Sequence, residues 1–179
     1  MKTLIFACEW ARNKENSWSG TNMAVFKRLS KDFKVTDYDF GIRKPYAFMA
    51  KVMKKAFYKN IDVTHHYSKA FAKKYKGNNL IFQYGEMPNA YDPSNKHFVY
   101  QDLSWANVKF IMDNEPGIFR ISNYERFDAD TINKSKDRQN AFLRKENVYC
   151  LTMGRWLARF FVDELCLPEE RVCFVGGGL

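Results

Sequence analysis

The sequence lacks any apolar run that could cross a membrane, which takes about 20 predominantly apolar residues. Its first apolar run, Leu4–Cys8, is also too short for a secretory signal, and Glu9 follows it directly. The 179 residues include four cysteines, none in a C-x-x-C pair, and three of them lie in apolar, strand-like runs. We therefore expect buried free thiols and a cytoplasmic protein in a reducing compartment.

Several short motifs that carry chemistry are also missing. The absence of G-x-x-x-x-G-K-[ST] excludes a P-loop, and the loop after the first apolar run is not G-x-G-x-x-G, so it carries no dinucleotide fingerprint. No G-x-S-x-G nucleophile elbow occurs. The pair His65-His66 has no further His or Cys at a zinc-ligand spacing, so it does not predict a zinc site. No RNP or zinc-finger pattern accompanies the lysines, which makes nucleic acid an unfavoured partner.

What is present is a large apolar and aromatic fraction and an excess of positive charge. Apolar residues make up 46% of the chain and aromatic residues 17%, enough for a packed core. The formal charge of +9 favours an anionic partner, such as a phosphorylated small molecule or an anionic lipid surface. The segment Arg43–Lys59 carries apolar residues at helical spacing among its lysines. It could lie on an anionic membrane surface, or pack its apolar stripe on the sheet.

Strand-like and helical patterns alternate along the chain. The strands are predicted at Thr3–Cys8, Lys34–Phe40, Asn79–Tyr84, His97–Gln101, Asn147–Thr152 and Arg171–Val175. The helices are predicted at Ser19–Lys31, Pro45–Tyr58, Val63–Lys74 and Gly154–Leu165. Between them, Asp113–Arg138 is polar and predicts a long excursion or short helices. This order favours one Rossmann-like domain over residues 1–179, an α/β/α arrangement of three layers with a mostly parallel sheet.

Ligands of such sheets bind at the carboxyl ends of the strands, which draws attention first to the loop after Cys8. Ser19 could cap the following helix, and Gly20 would let backbone N–H groups approach an oxygen-rich ligand there. Trp18 could stack on a sugar or a base. The alternative is a capped helix start whose tryptophan packs on the sheet edge.

A second candidate is the stretch HFVYQDLSW, in which Asp102 ends a strand and Ser104 and Trp105 begin a helix. A carboxylate in that position can accept a proton or a hydroxyl hydrogen bond from a substrate. The alternative assigns Asp102 or Ser104 to the helix N-cap, where it would satisfy free N–H groups.

Two Asp-x-Asp triplets complete the candidates, at Asp37–Asp39 and at Asp128–Asp130. Such pairs can hold a divalent metal on a nucleotide sugar. Two acids two residues apart are common by chance, so we expect no metal site at either.

The closing stretch, NVYCLTMGRWLARFFVDELCLPEERVCFVGGGL, resembles the end of the N-terminal domain of retaining GT-B glycosyltransferases of family four. The matching residues are Cys150–Thr152, Trp156, Leu167-Pro168, Arg171-Val172 and Phe174–Gly177. The opening stretch, KTLIFACEW to KVTDYDF, is similar to the first strand, substrate loop, helix and second strand of that domain. FVYQDLSWA is similar to the strand and turn whose polar residue faces the sugar being transferred.

The resemblance implies that the chain is the acceptor-side half of a GT-B fold and transfers a hexose from a nucleotide sugar with retention. The second domain, which holds the donor through an acidic E-x7-E-type motif, is expected to be absent from these residues. Asp102 would be the catalytic contact to the sugar. The predicted substrate-binding residues are Trp18, Ser19, Gly20, Thr21, Trp105, Thr152 and Arg155. The donor is a substrate, so no cofactor and no metal are implied, and the acceptor could be a carbohydrate, a lipid or another molecule.

Two other functions remain open on the residues alone. One is a non-catalytic Rossmann-like module that binds a nucleotide or a sugar phosphate. The other is a basic peripheral domain that binds an anionic membrane through Arg43–Lys59, at the inner face of the membrane.

Overall fold

The computed structural model describes residues 2–10, 13–40, 48, 52, 63–85 and 90–177, with the backbone alone described at 18, 19 and 63–67. The strands in this part of the chain are β1 (Thr3–Cys8), β2 (Lys34–Asp39), β3 (Leu80–Tyr84), β4 (Lys96–Gln101), β5 (Val148–Thr152) and β6 (Val172–Phe174). The helices are α1 (Thr21–Leu29), α2 (Val63–Lys74), α3 (Trp105–Asn114), α4 (Pro116–Ile121), α5 (Ala129–Leu143) and α6 (Arg155–Asp163). Short 3-10 helices occupy Lys14–Gly20 and Glu169–Arg171.

The described strands form one six-stranded parallel sheet in the order β2-β1-β3-β4-β5-β6. In the register, Leu4 of β1 lies opposite Val35 of β2 on one side and Leu80 of β3 on the other. The predicted α/β class and parallel sheet are therefore confirmed. Because β1 has β2 on one side and β3 on the other, the strand order reverses between β1 and β3. In open parallel sheets this switch point is where ligands bind, outside the carboxyl ends of the strands.

No helix in the described ranges is long and apolar enough to cross a membrane. The predicted helix Pro45–Tyr58 and the basic segment Arg43–Lys59 lie outside the described residues, apart from Phe48 and Val52, which are both exposed. The chain groups into two compact units, one ending at His97 and one beginning at Phe98.

The first unit is built on the two apolar faces of β1. The side chain of Phe6 points to α1, where its ring lies 5.3 Å from that of Phe26 and 5.3 Å from that of Phe82. On the opposite face, Ile5 packs in a cluster with Ile81 and with Phe71 of α2. This follows from the alternation of side chains along a buried parallel strand, in which both faces are apolar. Helices therefore cover both faces of this part of the sheet, as predicted.

A set of buried polar contacts fixes the connection from α2 to β4. The side chain of Asn95 accepts a hydrogen bond from the Asn79 backbone N–H at 2.9 Å and donates to the Tyr75 carbonyl at 2.8 Å. Nearby, His97 is fully buried, with the ring of Tyr91 at 5.6 Å and the Asp92 backbone next to its Nε2. Burial lowers the pKa of His97 below its ordinary value of 6.5, opposed by the backbone and charge of Asp92.

We expect His97 to make the protein less stable as the pH falls below 6.5. The unfolded chain takes up the proton at its ordinary pKa, whereas the buried ring resists it, so the free energy of unfolding falls by up to about 1.4 kcal/mol per pH unit. Urea unfolding at several pH values between 7 and 5 measures this effect. As the pH falls, the free energy of unfolding should decrease more steeply for the wild type than for His97→Gln. Equal slopes in the two proteins would refute this role.

The second unit packs α3, α5 and α6 on the remaining strands. Leu157 and Phe161 are the buried residues of α6, and Ile132 and Phe142 are among those of α5. Since α5 spans fifteen residues, the segment Asp113–Arg138 includes a core helix as well as the short helix α4. The prediction of only a long excursion or short helices was therefore wrong, because the apolar residues of α5 are sparse among polar ones.

The cysteines divide into two pairs. Cys8 and Cys150 are buried free thiols, as predicted. Cys166 and Cys173 are exposed, so the prediction of burial is wrong for them. Cys173 lies on the edge strand β6, which pairs with β5 on one side and has no second neighbour among the described strands. An apolar strand at the edge of a sheet keeps part of its surface in solvent.

Candidate functional site

The loop after β1 is anchored to the end of β2 by Trp10. Its backbone N–H donates to Asp39 Oδ1 at 3.2 Å, and its indole N–H donates to Asp37 Oδ1 at 2.7 Å. Lys14 pairs with the same Asp37 carboxylate, and its ammonium lies 5.0 Å from the centre of the Trp10 ring. The first Asp-x-Asp pair therefore holds the loop in place, and both oxygens of Asp37 and Oδ1 of Asp39 accept from protein donors.

The helix α1 begins on a glycine. Gly20 occupies the N-cap position with φ of 91°, and no side chain accepts a hydrogen bond there. The side chains of Trp18 and Ser19 lie outside the described residues, so the predicted capping role of Ser19 stays a prediction. A Cβ on Gly20 would meet only the Glu15 carbonyl at 3.5 Å, so the backbone angle, rather than space, requires glycine. Thr21 is the first residue of α1, where backbone N–H groups lack partners within the helix.

Two buried amide oxygens flank the switch point of the sheet and have no hydrogen-bond partner among the described residues. Asn22 Oδ1 lies in the first turn of α1, on a side chain 1% exposed, and Gln83 Oε1 lies near the end of β3, on a side chain fully buried. The Asn22 Nδ2 lies 3.5 Å from the Glu9 carbonyl, and the Asn22 side chain also hydrogen-bonds the Cys8 thiol. The Gln83 Nε2 lies 3.4 Å from the Gly85 carbonyl. Buried polar groups are normally paired. The two oxygens are thus free to accept from the hydroxyl or N–H groups of a ligand.

Neither amide was identified from the sequence. Gln83 was identifiable, because it is a polar residue in the apolar strand LIFQY and lies one residue before the carboxyl end of that strand. Asn22 gave no such signal, since its position in the helix start TNMAVF is also a common place for a solvated side chain.

In the second unit, backbone hydrogen bonds join the carboxyl ends of three strands. The Met153 N–H donates to the Gln101 carbonyl at 3.1 Å, and the Val175 N–H donates to the Thr152 carbonyl at 3.0 Å. The Tyr100 hydroxyl reaches over to the Gly176 carbonyl at 3.0 Å. These bonds place Asp102, which follows Gln101, next to the strand end that carries Thr152.

Asp102 is the exposed carboxylate of this edge. It forms no ion pair with any residue in the described ranges. Partial burial raises the pKa of its carboxyl above the ordinary 3.8, while hydrogen bonds from its own N–H and that of Leu103 act in the opposite direction. Burial, together with the charge of the Asp102 carboxylate, raises the pKa of Tyr100. Asp102 can therefore accept a hydrogen bond from a ligand without first breaking a pair within the described protein.

The turn that carries Asp102 is held on both sides by one buried side chain of α5. Gln139 donates from Nε2 to Gln101 Oε1 at 3.0 Å and accepts at Oε1 from the Trp105 backbone N–H at 2.7 Å. Gln101 Nε2, also buried, has no hydrogen-bond partner in the part of the chain that the structure describes. Sequence reasoning missed Gln139, because it lies 37 residues beyond Asp102 in a helix that was not foreseen.

The helix start after this turn is capped by Ser104, which was the alternative to a functional role. Its hydroxyl accepts from the Asn107 backbone N–H at 3.2 Å, and its own N–H donates to Asn107 Oδ1 at 3.3 Å. Trp105 packs edge-on against the rings of Tyr124 and Phe127, at 5.5 and 5.4 Å. A structural role thus occupies most of its ring, and substrate binding by Trp105 stays a prediction.

Two further predicted residues lie at the neighbouring strand ends. The Thr152 side chain is fully buried, with its hydroxyl 3.5 Å from the Cys173 carbonyl, so it supports the β5–β6 edge. Arg155 is exposed at the start of α6, and its guanidinium lies 4.5 Å from the centre of the Phe174 ring. Arg155 remains within reach of solvent and of an anionic ligand, whereas Thr152 does not.

The second Asp-x-Asp pair and the buried cysteines form neither a metal site nor a nucleophile in the described ranges. Asp128 caps α5 by accepting from the Thr131 N–H at 2.7 Å, and Asp130 pairs with Lys134 at 2.6 Å. Within the described ranges, no three His, Cys, Asp or Glu side chains cluster in a way that could hold a metal ion. Burial raises the pKa of Cys150 to about 12 and that of Cys8 further still, so neither thiol forms a thiolate nucleophile at neutral pH.

Comparisons of the chain with protein-family models, with curated proteins and with solved structures found no match. The geometry of the chain itself and the resemblance in its motifs therefore carry the functional argument.

Proposed function

We propose that the chain is the acceptor-side domain of a retaining glycosyltransferase, acting with a second domain that binds the nucleotide sugar. The observation that carries the proposal is the Asp102 carboxylate. It is exposed at the carboxyl edge of a parallel sheet, it forms no ion pair with any described residue, and Gln139 fixes its turn from both sides. A preorganised acceptor of hydrogen bonds is what a hydroxyl-rich substrate requires.

In this proposal the site residues of the chain bind the substrates and orient them. Asp102 accepts a hydrogen bond from a hydroxyl of the transferred sugar and thereby orients it. Arg155 offers positive charge to the phosphate side of the donor. The backbone N–H groups at Gly20 and Thr21 bind phosphate or acceptor oxygens, because the start of a helix favours negative charge. Charge stabilisation at the leaving diphosphate falls mainly to the second domain.

The experiment that tests the proposal measures sugar transfer by the 179-residue chain alone and by the same chain carrying a second, donor-binding domain. We expect multiple turnovers, with retention of anomeric configuration, only from the two-domain protein, because the 179 residues supply only part of the site. Multiple turnovers by the 179 residues alone would contradict the division of labour. Inversion of configuration would contradict the proposed reaction class.

A second candidate function is a non-catalytic module that binds a nucleotide or a sugar phosphate. It is favoured by Asn22 Oδ1 and Gln83 Oε1, the unpaired buried oxygens that flank the switch point. This function would give saturable binding of a nucleoside diphosphate by the 179 residues alone, weakened by Gln83→Leu and unaffected by Asp102→Ala.

We further propose a cytoplasmic protein that can dock on the inner face of an anionic membrane through Arg43–Lys59. The net charge of +9 supports this docking. Binding to vesicles that contain anionic lipid would then weaken with added salt, because screening shortens the reach of the lysine charges.

A further inference from the structure

The excess of positive charge lies in the first unit of the chain. Residues 1–97 contain 18 basic and 8 acidic residues, whereas residues 98–179 contain 11 and 12. Four of the six described acids of the first unit lie near the carboxyl ends of β1 and β2 or in the loop after β1, namely Glu9, Glu15, Asp37 and Asp39. The amino edge of the sheet, where the strands begin, is therefore left with an excess of lysine.

Three of these lysines mark the starts of neighbouring strands. Lys2 directly precedes β1, and Lys34 and Lys96 are the first residues of β2 and β4. The Lys34 N–H donates to the Lys2 carbonyl at 3.0 Å, and the Lys96 N–H donates to the Asn79 carbonyl, just before β3, at 3.0 Å. Since the strand order here is β2-β1-β3-β4, the three exposed lysines form a row along the edge. The row is roughly 14 Å long, because neighbouring strands lie about 4.8 Å apart.

Four further lysines lie in the helix end and the turns that lead into the same edge. The Tyr75 carbonyl, just after α2, accepts from Asn95 Nδ2 at 2.8 Å, so the last turn of α2 lies beside Lys96. All seven lysines are exposed, and none forms an ion pair with a described residue. The seven, called the lysine edge below, are Lys2, Lys31, Lys34, Lys73, Lys74, Lys76 and Lys96.

Two described carboxylates of the first unit lie near the lysine edge, too few to neutralise it. Asp32 already pairs with Arg28. Asp92 accepts from the Ser94 N–H at 2.9 Å, and the hydrogen bonds from Ser94, together with the charge of Lys76, lower the pKa of its carboxyl. Two acids therefore face seven lysines and one arginine.

Stabilisation of a helix end accounts for only part of the lysine edge. Lys73 and Lys74 lie in the last turn of α2, where the free carbonyl groups favour cations. The Lys74 ammonium also lies 5.0 Å from the centre of the Tyr75 ring. The three lysines at the strand starts have no helix end to complement, so their charge remains open to a partner.

We propose that the lysine edge binds the phosphate backbone of double-stranded nucleic acid without reading its sequence. A row of charge about 14 Å long matches about four phosphates of one strand, which follow one another every 3.4 Å or so along the helix axis. Thr3 and Asn78 are exposed on the same edge and offer neutral donors of the kind that bind phosphate oxygens. The missing RNP and zinc-finger patterns concern the reading of bases, which this surface does not require.

Two other polyanions fit the lysine edge less well. Docking on a membrane combines basic side chains with apolar ones that enter the interface. The exposed large apolar side chains of the first unit's described residues are Phe48 and Val52, and neither belongs to a strand start or turn of this edge. A single strand is bound by stacking its bases on open aromatic rings. The rings at the end of α2, Tyr75 with Tyr38 beside it, instead pack on each other and on Phe71.

The test is a fluorescence anisotropy titration of a labelled duplex of mixed sequence, about 20 base pairs long, with the 179-residue chain. We expect binding that weakens about a hundredfold between 50 and 200 mM salt, because each neutralised phosphate adds about −0.9 to the slope of log K against log salt concentration. A second duplex of unrelated sequence should bind equally. No binding at about 50 mM salt, or a preference of more than about tenfold for one sequence, would overturn the proposal.

An edge variant tests the row itself. Replacing Lys2, Lys34 and Lys96 together by alanine should weaken duplex binding at about 50 mM salt by at least tenfold and reduce the salt slope by about 2.7. Circular dichroism and the urea midpoint check that the variant folds. If it does not, Lys96→Ala alone should reduce the slope by about 0.9.

The matched control removes the same charge from the second unit. It replaces three lysines that pair with acids there, Lys109, Lys134 and Lys136, by alanine. This control should bind the duplex within about twofold of the wild type. Equal weakening by the two triple variants would overturn the proposal, because net charge rather than the edge would then decide binding.

Two further ligands separate the other polyanions. They are vesicles that contain anionic lipid and a single strand of the same length as the duplex. The proposal is overturned if the edge variant loses vesicle binding but keeps duplex binding, or if the single strand binds more tightly than the duplex at the same salt concentration. These assays involve no sugar transfer, so their outcome is independent of the proposed reaction.

Discussion

Replacing Asp102 by alanine in the proposed two-domain transferase is expected to lower kcat/KM for sugar transfer by about a hundredfold. A hydrogen bond between a charged group and a sugar hydroxyl contributes about 1.5–3 kcal/mol, and this carboxylate forms no ion pair with any described residue. The Gln139 contacts on either side of the turn remain in the variant, so the loss reports the carboxylate rather than a disordered loop.

The controls for Asp102 distinguish a substrate contact from a structural one. The side chain is exposed, so the free energy of unfolding should change by less than about 1 kcal/mol in Asp102→Ala. Asp102→Asn keeps a hydrogen-bond acceptor but loses the charge. Its kcat/KM should therefore lie between that of Asp102→Ala and that of the wild type. Asp130→Asn removes an equally exposed acid that only pairs with Lys134, and should transfer sugar at the wild-type rate. Unchanged kcat/KM in Asp102→Ala would remove Asp102 from the site.

The pH profile adds an independent check. Partial burial raises the pKa of Asp102 above 3.8, so the acid limb of kcat/KM should lie at higher pH than for an ordinary aspartate. Asp102→Asn should lose that limb, because asparagine does not titrate. A limb that persists in the variant would belong to another group.

The fold could be predicted because the central strands β1 and β3 are buried on both faces. In TLIFAC and LIFQY nearly every position is apolar, which only a central strand of a covered parallel sheet satisfies. The helix Val63–Lys74 begins and ends as its periodicity predicted. Each strand was located to within one residue at its start, since turn residues and charges bound each apolar run.

The sequence-based predictions are wrong where tertiary contacts, rather than the local sequence pattern, determine the structure. The helix α5 buries polar as well as apolar side chains, so its few apolar positions, such as Ile132 and Phe142, were not enough to distinguish it from a loop. Its Gln139 matters only because Gln101 and the Trp105 N–H lie opposite it in space. The position of a strand at the sheet edge, which exposes Cys173, likewise depends on which strands pair.

The candidate site was predictable in part. A carboxyl-end position follows from strand order alone, which is how Asp102 and the loop around Gly20 were found. The sequence pattern does not predict which polar groups remain without a hydrogen-bond partner in the folded chain. Asn22 and Gln83 are notable only because their oxygens are buried and no described residue donates a hydrogen bond to them.

The largest effect on stability is expected from Phe6→Ala, which should lower the free energy of unfolding by about 3–5 kcal/mol. Phe6 is fully buried on β1, and its ring lies 5.3 Å from Phe82, 5.3 Å from Phe26 and 5.8 Å from Trp10. Its loss removes apolar burial, leaves a cavity between the sheet and α1, and takes away the aromatic contact on which Trp10 rests.

Urea unfolding followed by circular dichroism measures this cost as a shift of the midpoint at constant slope. Phe6→Leu refills most of the volume and should recover a large part of the loss, which keeps the test informative if Phe6→Ala does not fold. Phe110→Ala removes the same side chain from an exposed position and should change stability by less than about 1 kcal/mol. A cost for Phe6→Ala no greater than for Phe110→Ala would mean that the α1 face of β1 is not a packed core. Because Trp10 ties the β1 loop to Asp37 and Asp39, such a result would also remove the structural basis for a preformed ligand site at Gly20.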